Sequence, residues 1–261
     1  MYDLSRLSPA IAARAATSPM FQKPVTQLLR TNGDAKTSKG EKLGIRTGIL
    51  YLAPVDIAGF QACPMAGKAG CSEACLYTAG HGALANVQLS RIRKSLFLEQ
   101  HPEQFAAVLR RDLAKLVKQC QRDGVTPAVR LNGTSDIRWE AKPAILAIMA
   151  EYAALGVRFY DYTKIANRKP PAFYDLTYSY SGTPAYRPYV AKAMANGMRL
   201  AVVFRTREDV LSRIEAGTTF MGMPIVDGDD TDVRFIEPQG VAVALYAKGQ
   251  AKGDTTGFVV G

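Results

Sequence analysis

The sequence is poor in several features that define common classes of protein. Four cysteines in 261 residues are too few for a disulfide-stapled scaffold. There is no run of about 18 apolar residues, the length that a membrane-spanning helix needs. The first twenty residues contain three charged side chains and no apolar core, so a secretory signal is not predicted. These absences favour a soluble protein of the cytoplasm with no membrane partner.

Several well-known catalytic motifs are also missing. The sequence contains no Gly-x-x-x-x-Gly-Lys phosphate loop, no Gly-x-Ser-x-Gly nucleophile elbow and no His-Glu-x-x-His zinc motif. Hydrolase and nucleotidase functions therefore have no motif to support them.

Positive charge, by contrast, is in excess, with a net charge of +10. Residues 1–47 and residues 90–122 each contain eight basic and three acidic side chains. Clustered lysine and arginine bind the phosphate backbone of nucleic acids. Nucleic acid is therefore a candidate partner, through helices in 90–122 and an N-terminal arm, and a solvated basic face is the alternative.

The chain divides into a basic N-terminal arm, residues 1–47, and a region, residues 48–261. In this second region, strand-like and helix-like apolar segments alternate. Alternating strands and helices predict an α/β fold with parallel strands, here a full or partial TIM-type barrel or a doubly wound sheet. The predicted strands are 48–53, 127–131, 157–162, 175–180, 199–204, 218–225 and 240–246. The predicted helices are 85–100, 102–123, 143–155, 185–196 and 207–216.

Unusual polar residues follow several of these predicted strands. Active sites of (β/α) barrels are built from the loops after the strands, which favours a barrel, although the edge of an open sheet collects such residues as well. The candidates for cofactor binding are Asn132, Gly133, Asp136, Lys164, Ser179 and Arg205.

The most distinctive segment is 61-QACPMAGKAGCSEACLYTAGHG-82, which has the spacing C-x7-C-x3-C. Three thiolates on one glycine-rich loop can surround an inorganic centre, and iron–sulfur clusters are held by cysteine thiolates. We therefore predict a 4Fe–4S cluster on Cys63, Cys71 and Cys75. A zinc site completed by His81 is a second possibility, and three buried structural thiols are a third. Cys120 lies on the apolar stripe of the helix predicted at 102–123, so we expect a buried thiol there.

A three-cysteine loop after the first strand of an α/β barrel resembles the radical S-adenosylmethionine (SAM) superfamily, whose usual spacing is C-x3-C-x2-C. The resemblance implies that one iron binds SAM, and that 130-RLNGTSD-136 stands where that family has a Gly-Gly-Glu stretch. It implies an enzyme, whereas a cluster-containing nucleic-acid-binding protein without SAM chemistry is the other class left open.

Over nearly all of the region after residue 45, the chain also resembles a phage-associated family named after gene product 88. The resemblance implies a phage or prophage origin, and hence the host-cell cytoplasm, but no particular reaction. The segments that carry it are CPMAGKAGCSEACL, RLNGTSD, FYDYTK, LTYSYS, AVVFR, GDDTDVRF and LYAKG.

Overall fold

The computed structural model describes residues 2–32, 40–72, 75 and 80–261. Residues 33–39 of the predicted arm, and the positions 73–74 and 76–79 around Cys75, lie outside the described residues. The chain forms two compact units, of which the first comprises Met1–Pro64 and Gly80–Phe159, and the second comprises Met65–Ala79 and Tyr160–Gly261.

The regular elements follow the predicted alternation closely. The described α-helices are α1 (Pro9–Thr17), α2 (Ala85–Gln100), α3 (Pro102–Asp123), α4 (Pro143–Ala154), α5 (Arg187–Ala195) and α6 (Arg207–Glu215). The described strands are β1 (Leu29–Arg30), β2 (Ile45–Leu50), β3 (Thr126–Arg130), β4 (Arg158–Thr163), β5 (Tyr174–Ser179), β6 (Leu200–Phe204), β7 (Thr219–Phe220), β8 (Met223–Asp227) and β9 (Ala242–Tyr246).

Helix α3 shows why the sequence folds this way locally. Pro102 stands in the first turn, where a missing N–H costs nothing, and Gly124 ends the helix in the left-handed conformation with φ of 67°. The apolar side chains recur at intervals of three and four residues, so one face of the helix is buried. The buried residues are Phe105, Leu109, Leu113, Leu116, Val117 and Cys120.

In the first unit the strand order is β1-β2-β3-β4. Strand β1 is antiparallel to β2, whereas β2 pairs with β3, and β3 with β4, in parallel. The N-terminal residues belong to this unit, because Leu7, Ala15 and Phe21 are buried in one cluster with Ile92 and Leu96 of α2.

In the second unit the strand order is β4-β5-β6-β9-β8-β7. Strand β6 is parallel to β5 and to β9, β9 is parallel to β8, and β7 closes an antiparallel hairpin with β8. Apolar side chains of β5, β6, β8 and β9 form one core with residues of α5 and α6.

The predicted α/β class with mainly parallel strands is confirmed, but a full barrel is not formed. A (β/α) barrel joins strands in chain order, whereas here the last strand, β9, lies between β6 and β8. Among the described strands, β1 and β7 are two residues long and each pairs with one neighbour, through an antiparallel contact. The strand order is therefore open at both ends.

Candidate functional site

The predicted site residues are divided between the two units. The first unit holds Cys63, Asn132, Gly133 and Asp136, and the second holds Cys71, Cys75, Lys164, Ser179 and Arg205. The surroundings of the two groups are described separately below.

In the first unit, the loop that contains Asn132 adjoins the residue before Cys63. The backbone N–H of Asp136 donates to the carbonyl oxygen of Ala62 at 2.8 Å, and the N–H of Ala62 donates to Val55 at 2.6 Å. The N–H of Cys63 donates to the side-chain oxygen of Gln61 at 2.9 Å. The start of the cysteine segment is thus fixed by backbone hydrogen bonds.

Asn132 is the centre of the hydrogen bonds that shape its own loop. Its side-chain oxygen accepts the Ser135 hydroxyl at 2.9 Å, the Ile137 N–H at 2.9 Å and the Trp139 indole N–H at 3.1 Å. Its side-chain NH₂ donates to the carbonyl oxygen of Ile137 at 3.0 Å. The amide of Asn132, which is 3% exposed, therefore builds the loop.

Gly133 lets this loop pack directly against strand β2. Its N–H donates to the carbonyl oxygen of Leu50 at 2.9 Å. A Cβ at this position would lie 2.7 Å from each of three groups, Ile49 Cγ2, the Leu50 carbonyl oxygen and Tyr51 Cδ1. The position therefore needs glycine for a packing reason that is independent of any cofactor.

In the second unit, the first half of the cysteine segment forms a compact turn. The N–H of Ala69 donates to Met65 at 2.9 Å, and the N–H of Cys71 donates to Ala66 at 3.2 Å. The Cys71 Sγ lies 3.8 Å from the same Ala66 carbonyl oxygen. Gly70 takes a φ of 66°, which a residue with a side chain rarely adopts.

Three hydroxyl groups hold this turn in place. Ser181 Oγ donates to the carbonyl oxygen of Ala69 at 2.8 Å, and Thr183 Oγ1 donates to that of Lys68 at 2.7 Å. Thr256 Oγ1 lies 3.3 Å from the carbonyl oxygen of Gly70. Because Ser181 and Thr183 follow β5, the end of this parallel strand positions the residues that lead to Cys71.

Lys164, which follows β4, and Ser179, which ends β5, are in contact. The Lys164 ammonium donates to Ser179 Oγ at 2.8 Å and lies 4.7 Å from the centre of the Phe258 ring. The Tyr186 hydroxyl donates to the carbonyl oxygen of Lys164 at 2.9 Å. This arrangement fixes one positive charge beside aromatic faces, which stabilise a cation.

Arg205 has a structural contact that the sequence did not reveal. Its guanidinium donates to the carbonyl oxygens of Lys252 at 3.2 Å and Asp254 at 3.0 Å, in a C-terminal segment that sequence reasoning missed. The pKa of Asp254 is lowered overall: burial acts to raise it, but the hydrogen bonds that its carboxylate accepts from the N–H groups of Val259 and Thr256 outweigh burial. The signal was present as Asp-Thr-Thr-Gly, a turn sequence in which the first carboxylate binds following N–H groups.

The candidate metal ligands are cysteines in their thiol form. Cys63, Cys71 and Cys75 are partly exposed, and none of them forms a disulfide. Cys120 is buried as predicted, and burial raises the pKa of its thiol. His81 is exposed in the short helix Gly80–Ala83. Within the described ranges, no three histidine, cysteine, aspartate or glutamate side chains are arranged to hold a metal ion.

The cationic side chains of α2 and α3 make two kinds of contact within the protein, hydrogen bonds to an N-terminal segment and an ion pair. Several of them hold the N-terminal strap, which we define as residues 23–29. Arg93 donates to the carbonyl oxygen of Lys23 at 2.7 Å, and Lys94 donates to that of Leu28 at 2.8 Å. Burial lowers the pKa of Lys94 to about 8, although the nearby Asp112 opposes the shift.

Two further side chains, Arg111 and Asp112 of α3, also hold the N-terminal strap, and we call these two together with Arg93 and Lys94 the clamp. Arg111 donates to the carbonyl oxygen of Thr26. The carboxylate of Asp112 accepts the N–H groups of Leu28 at 2.6 Å and Leu29 at 3.0 Å. Arg110 is also engaged, in an ion pair with Glu151 at 3.1 Å. Several of the basic side chains that suggested a nucleic-acid surface therefore make contacts within the protein.

Comparison with protein-family models identifies the family of this chain. The family model described as Gene product 88 matches residues 26–261. Searches of curated proteins and of solved structures find no match. In the described part of the chain, no helix has the length and apolar character to cross a bilayer.

Proposed function

This chain belongs to the gene product 88 family, and we propose that it is an iron–sulfur protein that holds a 4Fe–4S cluster with Cys63, Cys71 and Cys75. The observation that carries the proposal is three cysteines within thirteen residues, all partly exposed and none joined in a disulfide. Cysteine thiolates are the usual protein ligands of such clusters. Because the family is phage-associated, we place the protein in the host-cell cytoplasm, where thiols stay reduced.

The way the chain is anchored supports this ligand set. Cys71 is turned back onto Ala66, which follows Cys63 by three residues. Three residues span at most about 11 Å between Cα atoms, so the chain itself keeps the first two cysteines near each other. The hydroxyl contacts of Ser181 and Thr183 hold the intervening turn.

The cluster would complete the arrangement of the thiols. Binding of the cluster would fix the three thiolates around one centre. Metal centres commonly couple binding to local folding in this way. The partial-barrel curvature of the sheet remains a prediction and is not needed for this step.

A 4Fe–4S cluster has four irons, so three cysteines leave one iron that needs a ligand from another source. Cys120 does not suit this role, because it is buried in α3 and its raised pKa favours the protonated thiol. We propose SAM as the molecule to test. Asp136 is the residue of choice for that test, because its backbone joins Ala62, next to Cys63, whereas the amide of Asn132 already serves its own loop.

The decisive experiment is metal analysis of protein purified without oxygen. We expect iron and acid-labile sulfide in near-equal amounts, and a paramagnetic resonance signal after reduction. Cys63→Ala, Cys71→Ala and Cys75→Ala should each lose the cluster. Cys120→Ala is the matched control and should keep it.

Two results would overturn the proposal. Stoichiometric zinc without sulfide would establish the alternative Cys₃His site, in which case His81→Ala should release the metal. Equal loss of cluster in Cys120→Ala would mean that the ligand set is wrong.

The SAM part has its own test on the reduced, cluster-loaded protein. Adding SAM should change the resonance spectrum, and Asp136→Asn should weaken the change without altering the iron content. An unchanged spectrum at saturating SAM would remove SAM, and the enzymatic alternative with it, while leaving the cluster in place.

A further inference from the structure

Helix α3 exposes a row of four cations. Arg111, Lys115, Lys118 and Arg122 follow one another at intervals of four, three and four residues, and all four are exposed. At about 100° per residue, they fall within an arc of about 60°. We call this row the α3 cation row. It points away from the buried face of the same helix.

The α3 cation row contains no carboxylate. The acidic residues of the helix are Glu103, Asp112 and Asp123, and each lies about 60° or more beyond the edge of the row. The carboxylate of Asp112 is engaged with the N-terminal strap, and that of Asp123 with Arg46 at 2.6 Å and Arg122 at 2.7 Å. The two ends of the row therefore have contacts of their own, Arg122 with Asp123 and Arg111 with the carbonyl oxygen of Thr26. At its centre, no carboxylate among the described residues pairs with Lys115 or Lys118.

We propose that the α3 cation row binds the phosphate backbone of double-stranded DNA. The structure gives Lys115 and Lys118 no ion-pair or hydrogen-bond partner among the described residues, so their ammonium groups remain available to a ligand. The row is about 16 Å long, a length over which one strand of B-form DNA presents four to five phosphates.

The partner is identified by the charge and the length of the row. A straight row of cations meets a regular row of phosphates, and the contact needs no base reading, so binding should tolerate any sequence. The proposal is independent of the cluster. It also narrows the surface, because Arg93 and Lys94 hold the N-terminal strap and Arg110 pairs with Glu151. Within the row, Lys115 and Lys118 are the principal phosphate ligands, since Arg111 also holds the strap and Arg122 also pairs with Asp123.

The test compares two double charge reversals in the full chain. Lys115→Glu/Lys118→Glu removes the centre of the row. Lys169→Glu/Lys192→Glu changes two exposed lysines of the second unit and is the matched control, since each double reversal lowers the net charge by four from +10. Binding of a duplex of about 24 base pairs is followed by fluorescence anisotropy from about 50 to 200 mM salt.

We expect the unmodified chain to bind with a linear dependence of log K on log salt. The row variant should bind at least about tenfold more weakly at the lowest salt, and its slope should be shallower by about 1.8, because two phosphate contacts are lost. The control should keep the slope. Circular dichroism and cluster content should be unchanged in both variants, because the four lysines are exposed.

Three outcomes would overturn the proposal. The first is no binding by the unmodified chain at about 50 mM salt. The second is equal weakening in the control, which would make the effect one of net charge alone. The third is tighter binding of an RNA duplex, which would mean that the partner is not DNA.

Discussion

Replacing Asn132 by alanine tests whether this residue builds the protein or serves a ligand. The substitution removes the oxygen that accepts three hydrogen bonds. The Trp139 indole N–H is fully buried and cannot turn to water, so its loss of a partner costs about 1–3 kcal/mol. The donors of Ser135 and Ile137 are partly exposed and recover part of their hydrogen bonding from solvent.

We expect the free energy of unfolding to fall by about 2–6 kcal/mol in total. At about 2–4 °C per kcal/mol for a chain of this size class, the melting temperature should fall by roughly 10 °C. The chain supplies its own probe, because Trp139 is its single tryptophan and stacks on Phe105 at 6.2 Å between ring centres. Urea unfolding followed by tryptophan fluorescence measures the loss.

Ser135→Ala is the matched control, since it removes one donor and leaves the Asn132 oxygen in place. It should cost about 0.5–1.5 kcal/mol. The reasoning fails if Asn132→Ala unfolds within about 1 kcal/mol of the unmodified chain, or if the control is equally damaging.

Three other predictions follow from described contacts. Because the folded pKa of Lys94 is lowered to about 8 from 10.5, this site binds more protons in the unfolded chain between these values. The unfolding free energy of the unmodified chain, measured relative to that of Lys94→Met, should therefore rise with pH across that window. Gly70→Ala should lower the melting temperature and the cluster content, because φ at this position is 66° and the added methyl would lie 2.5 Å from a side-chain oxygen. Gly67→Ala is the control and should change neither, because a methyl there would enter open space. Gly228→Ala should lower the free energy of unfolding by about 1–3 kcal/mol, because its methyl would lie 2.9 Å from the buried Arg234 guanidinium. Thermal unfolding measures the loss, and an unchanged melting temperature would contradict this packing.

The helices could be predicted more accurately than the strand order. The bounds of α3 follow from Pro102, Gly124 and a continuous apolar stripe, which are local signals. The strand predicted at 218–225 is instead a hairpin, because Met221 and Gly222 take positive φ values of 51° and 82°. The sequence Phe-Met-Gly-Met held that signal in its glycine. The position of β9 between β6 and β8 depends on contacts distant in sequence, which no local pattern contains.

The candidate site could be predicted as a set of positions but not as a set of roles. Lys164 and Ser179 were both expected at strand ends, and they do meet. Asn132 stood at a plausible ligand position, yet its partners are residues of its own loop. Likewise, Lys94 and Lys118 contribute equally to the charge of the sequence, although Lys94 is half-buried against the strap and Lys118 is exposed. Side-chain direction is set by packing, which composition does not contain.

The N-terminal strap has a consequence for how freely its own sequence can be changed. The clamp binds the carbonyl oxygens of Lys23 and Thr26, and both of their side chains are exposed. Those two positions can therefore accept a fluorophore, a cross-linker or a new sequence, because a main-chain contact does not distinguish one residue from another. Leu28 and Leu29 are different, since Asp112 needs their N–H groups and proline there would remove one.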